Sequence, residues 1–97
     1  MYLETFLVER YLPGEQLGHF VGTIGRLRTE SENLAASGEA IRYVGSLLIA
    51  DDETCLCHFE ASCRETVVQA NESAQAPFAR IVAGEWIAGA DQRKESK

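Results

Sequence analysis

Two thiols, an imidazole and a carboxylate fall together in Cys55-Leu56-Cys57-His58-Phe59-Glu60, one residue beyond the acidic run Asp51-Asp52-Glu53. Thiolate and imidazole donors suit borderline and soft divalent ions such as nickel, zinc and copper. A strand alternates its side chains, so Cys55, Cys57 and Phe59 point one way and Leu56, His58 and Glu60 the other. Cys55 and Cys57 then stand roughly 7 Å apart. They could grip an ion if another strand or subunit completed the shell. Buried, the same pair would act as small hydrophobes, and Phe59 on their face fits that role.

Other residues add to the candidate chemistry. His58 and Glu60 share a face, and with Glu9 from another strand they form either a cluster for proton transfer or metal binding, or a solvated strand face. His19, early in a long amphipathic stretch, is a further metal candidate or a surface or subunit-contact histidine. Cys63 follows Ser62 at a predicted helix start, where the helix dipole and neighbouring Arg64 favour a reactive thiolate. The bland reading is an incidental exposed cysteine. Tyr43, Ser46 and Trp86 could line a pocket for a small apolar ligand, or simply pack. Asp51-Asp52-Glu53 lacks the spacing of a calcium loop and reads as a hairpin turn. Phosphate loops, serine elbows, zinc-finger cysteine pairs and helical His-Glu-x-x-His are all missing from the chain.

The elements that must position these residues are legible from periodicity. Residues 3–12 have strand composition and stop at Pro13-Gly14. From Glu15 to about Ser37, Leu17, Phe20, Val21, Ile24, Leu27 and Leu34 recur at helical spacing, and Gly38 ends the run. Glycines 14, 18, 22 and 25 would let this helix approach a neighbour closely. Residues 41–50 and 55–60 form a hairpin across the acidic turn. Ser62-Cys63-Arg64-Glu65 reads as a capping box opening a helix over 63–74, and residues 79–88, including Trp86, form a last strand. The order βαββαβ predicts an α+β, ferredoxin-like sandwich with an antiparallel sheet and both helices on one face. Phe6 and Val8 oppose Leu3 and Leu7, and Val44 and Leu48 oppose Leu47 and Ile49, so the sheet is apolar on both sides. A second copy packed face to face, as in a dimeric α+β barrel, would cover the far side.

The 97 residues, 45% hydrophobic, suit one domain over 1–90 with a disordered polar tail at 91–97. A net charge of −6 opposes a nucleic-acid partner. No apolar run is long enough for a membrane span, and three clustered cysteines without a signal peptide point to the cytoplasm.

Phe6-Leu7-Val8-Glu9-Arg10-Tyr11-Leu12-Pro13-Gly14, Tyr43-Val44-Gly45-Ser46, Asp51-Asp52, Cys57-His58-Phe59-Glu60-Ala61 and Ala76-Pro77-Phe78 together resemble the small nickel-binding, nickel-responsive proteins grouped as domain of unknown function 4242. The resemblance implies a ferredoxin-like subunit in a homodimer that binds or sequesters nickel, with Cys57 matching the family cysteine. Its metal-associated members carry a histidine in the second helix, and the matching position here is Ala70, followed by Asn71. Three functions fit the chain. The first is a dimeric protein that binds nickel or another divalent transition metal through Cys57 with His58, His19 or Cys55. The second is a cofactor-free monooxygenase, cyclase or isomerase acting on an aromatic or polyketide-like molecule, with Glu9, His58 and Glu60 moving protons. The third is an interaction module without chemistry. No organic cofactor is implied.

Overall fold

A computed structural model describes residues 3–89, and the tail expected at 91–97 lies outside them. The elements run β1 (Glu4–Tyr11), α1 (Gln16–Ala36), β2 (Ile41–Ile49), β3 (Thr54–Ala61), α2 (Arg64–Ser73) and β4 (Arg80–Gly84). The sheet order is β2-β3-β1-β4, antiparallel throughout. This is the ferredoxin-like α+β arrangement, with both helices against one sheet face.

The two central strands carry the strictest alternation. Every second residue of β3, namely Cys55, Cys57, Phe59 and Ala61, is fully buried beneath the helices, as are Phe6, Val8 and Arg10 of β1. Phe20 and Leu27 of α1 meet them from above, joined by the partly buried Leu17, Ile24 and Leu34. Enclosing a side chain such as Leu27 contributes about 2 kcal/mol. Val21, expected on this stripe, is instead 67% exposed. The glycines of α1 do not serve close packing either, since a Cβ at Gly18, Gly22 or Gly25 would meet nothing within 4 Å. Gly14 has a specific role: its φ of +60° suits glycine, and its amide donates to the Glu53 carboxylate at 3.0 Å.

Four local features differ from the sequence expectations, each for a physical reason. The acidic segment is not a simple hairpin turn. Ala50–Asp52 form one 3-10 turn, and Glu53 takes a left-handed conformation while its carbonyl accepts from the Leu12 amide at 2.6 Å. Helix α2 starts one residue later than the capping box implies, because the Ser62 amide is held by the Ala40 carbonyl at 3.1 Å. Cys63 takes the N-cap position in extended geometry, and neither Ser62 nor Glu65 caps the helix through its side chain. Strand β4 ends at Gly84, leaving Trp86 beyond it.

The fourth difference lies in β2. Tyr43 pairs with Phe59 and Gly45 with His58, so Val44 is an extra residue, a β-bulge. The bulge reverses the facing of everything after it. Tyr43 and Ser46, three apart and on opposite faces of a regular strand, both reach the core side. Val44 lines the outer face beside Leu47 rather than sharing a side with Leu48.

Candidate functional site

The cysteines of β3 end up inside the protein. Their sulfurs lie 3.8 Å apart, well under the roughly 7 Å set by strand rise alone, because the two side chains lean together. Ser46 donates to the Cys57 sulfur at 2.9 Å, and Tyr43 and Ser46 share a hydroxyl–hydroxyl contact. The Tyr43 ring packs on Phe59 with centroids 5.1 Å apart. A chain of polar groups therefore runs inward from the half-buried Tyr43 and Ser46 to the buried Cys57 and Cys55, and the bulge makes it possible. Burial, followed by the neighbouring Cys57, pushes the Cys55 thiol up to about 12 from an ordinary 9.0. Burial likewise raises Tyr43. Both effects hold these groups in their protonated forms, so the thiol pair acts as a hydrogen-bonded part of the core in this conformation.

The outer sheet face holds a different set. His58 stands in the middle of it, opposite Leu7 on β1 and Gly45 on β2. The Trp86 indole lies against its ring with centroids 5.9 Å apart and planes at 21°. Leu7, Val44, Leu47 and Leu56 surround the pair to form an apolar cleft of about 350 Å³. His58 Nε2 is sealed from solvent and has no hydrogen-bond partner among the described residues. Trp86 is 73% exposed and Leu47 61% exposed, a large apolar content for an uncovered surface.

The two candidate carboxylates flank this cleft, but each is engaged by an arginine of an edge strand. Glu60 pairs with Arg42 at 2.9 Å and Glu9 with Arg80 at 2.6 Å. Neither hydrogen-bonds to His58, so Glu9, His58 and Glu60 share a face without forming a relay.

The sequence candidates therefore separate. Cys55 and Cys57 are in the core, His58 is on the opposite sheet face, and His19 is exposed on the first turns of α1. Among the described residues, no three His, Cys, Asp or Glu side chains gather closely enough to hold a metal ion. Ser46 borders the cleft that Trp86 lines, although its hydroxyl is engaged by Cys57, and Tyr43 does not line it. Cys63 is exposed, its sulfur 3.3 Å from the Thr66 hydroxyl. Ala70, at the position of the helical histidine in the resembled proteins, is fully buried.

One residue was overlooked in the sequence. Arg10 is 1% exposed and donates to the carbonyls of Ala76 and Pro77 at 3.0 and 3.2 Å and to Asn71 Oδ1 at 2.7 Å. Its guanidinium stacks 5.1 Å from the Phe20 ring centroid. Sharing a strand face with Phe6 and Val8 was the available signal. Its acceptors lie more than 60 residues away in sequence and could not be read.

Searches of curated proteins and of solved structures found no match for the chain. Residues 6–83 do match a protein family, described as nickel responsive protein SCO4226-like. That span runs from β1 through β4 and includes the cysteine strand, the bulge and His58. The chain belongs to the SCO4226-like nickel responsive protein family.

Proposed function

We propose that the chain is a small metal-binding protein that pairs face to face with a second copy and holds a divalent transition ion, nickel first among them, at His58. The observation that carries this reading is the His58 Nε2 atom, sealed inside an apolar sheet face with no partner. A buried nitrogen left unpaired costs about 1–3 kcal/mol, and a metal ion would recover that cost. Neutral imidazole is also a good nickel ligand. One chain contributes one such donor, so a full shell requires a second copy, which two-fold symmetry would supply at the same place. The family description, nickel responsive, supports the choice of metal. Cys57 is a poorer ligand in this conformation: it lies on the other side of the sheet, wholly buried and engaged by Ser46.

Calorimetric titration of the untagged protein with Ni²⁺ tests the proposal. Saturable heat at about one ion per two chains is expected, lost in His58→Ala and retained in Cys57→Ala. Wild-type heat no greater than that of His58→Ala would end the metal reading.

The cleft favours a second reading, a cofactor-free enzyme, because about 350 Å³ lined by Leu7, Leu56, Trp86 and His58 suits a small aromatic molecule. In that case His58 would be the proton-transfer group, and an aromatic ligand rather than nickel would quench the Trp86 fluorescence.

A further inference from the structure

Arg10 is the only ionised side chain buried among the described residues, and no carboxylate there pairs with it. Its partners are two backbone carbonyls and a neutral amide. Its Nε has no acceptor. The Cys55 thiol, which senses the guanidinium, is kept protonated by burial and supplies no counter-charge. An isolated buried charge is among the costliest groups a core can hold.

The side chain forms part of a groove of about 200 Å³ between α1 and the Ala76–Pro77 segment. Gln16, His19, Phe20 and Thr23 line the α1 side. The groove thus opens along the first turns of a helix 21 residues long whose N-terminus has no side-chain cap. The Gln16 amide is taken by the Pro13 carbonyl at 3.2 Å and that of His19 by the Glu15 carbonyl at 3.3 Å, so it is the helix dipole and the amides between them that favour negative charge there. Thr23 Oγ1 already accepts from Arg26 at 3.1 Å, which leaves its proton free to donate. Glu15, the acidic residue at the cap, is exposed and does not line the groove.

We propose that this groove is a binding site for a small oxyanion, a carboxylate or phosphate group, held by the Arg10 guanidinium, the α1 N-terminus and the side chains of Gln16, His19 and Thr23. The buried charge and the uncapped helix are independent features that call for the same partner. The site lies on the helix side of the sheet, apart from His58, and does not depend on metal binding. Its ligand is a compact anion, because the groove holds only about 200 Å³.

The test uses the ¹⁵N-labelled full chain, titrated with sodium phosphate and separately with sodium acetate at constant ionic strength. The readouts are the Arg10 Nε–H resonance and the backbone amides of residues 16–20. Saturable shifts at both are expected, with the double variant Gln16→Ala, His19→Ala weakening binding about tenfold. Both replaced side chains are exposed, so the fold is expected to persist, and retained dispersion in the spectrum checks this. Tighter binding of phosphate would assign a phosphoryl group, and tighter binding of acetate a carboxylate. Shifts that fail to saturate with either anion, or equal affinity in the double variant, would overturn the proposal.

Discussion

The three cysteines occupy two environments, and position alone separates them. Cys63 is exposed at a helix start, whereas Cys55 and Cys57 are sealed against each other. A thiol-specific chromogenic reagent should therefore modify Cys63 alone in the native protein and all three after unfolding. Fast native labelling of a second cysteine would contradict the buried pair. The Cys55 shift also has a definite sign. A thiol raised from 9.0 to about 12 in the fold binds its proton more tightly than the unfolded chain does. Its contribution to stability is intact below pH 9 and is lost as the pH climbs toward 12. Urea unfolding midpoints should fall across that window, with a slope of at most about 1.4 kcal/mol per pH unit from this group, and Cys55→Ala should flatten the decline. Arg10 offers a third residue-scale test. Asn71→Ala removes one of the three acceptors of a buried guanidinium, and a loss of about 2 kcal/mol in urea unfolding is expected.

At the level of elements, β2 decides more than its length suggests. One extra residue at Val44 brings Tyr43 and Ser46 to the same side and so builds the polar chain that runs through Cys57 to Cys55. Deleting Val44 would restore regular alternation with the same partners, Gly45 opposite His58 and Ser46 opposite Cys57, so the inward facing of Ser46 is kept. We expect that variant to stay folded, with its stability in urea unfolding within about 1 kcal/mol of the parent's. The bulge also marks the limit of what was legible beforehand. The helix, the strand order and the buried face of β3 follow from periodicities of 3.6 and 2, which Phe20, Ile24 and Leu27 and then Cys55, Cys57 and Phe59 display plainly. Tyr43-Val44-Gly45-Ser46-Leu47-Leu48-Ile49 has no such alternation, so an extra residue within it leaves no trace in the pattern. The start of α2 was misplaced because the capping-box residues were present but the Ser62 amide was claimed by a carbonyl from another segment. His58 was found from its type and strand parity. Its lack of a partner emerges only when Leu7, Gly45 and Trp86 are brought around it.

For the molecule as a whole, the uncovered sheet face is the dominant surface. Leu47 and Trp86 project from it with more than half their surface exposed, and Leu7 and Leu56 lie between them. If a second copy covers this face, Leu47→Glu should yield a folded monomer in sedimentation velocity where the parent chain is a dimer. A parent chain that sediments as a monomer at tens of micromolar would remove the second copy from the proposed metal site. The two strands at the rim of the sheet bear on the same question from another side. β2 is kinked by its bulge, and β4 has only five residues before the chain leaves the sheet. Such borders are poor templates for another chain's backbone, so strand-by-strand growth into a continuous ribbon is obstructed. The irregularity that aligns Ser46 with Cys57 therefore also guards the rim of the sheet against open, edge-to-edge growth.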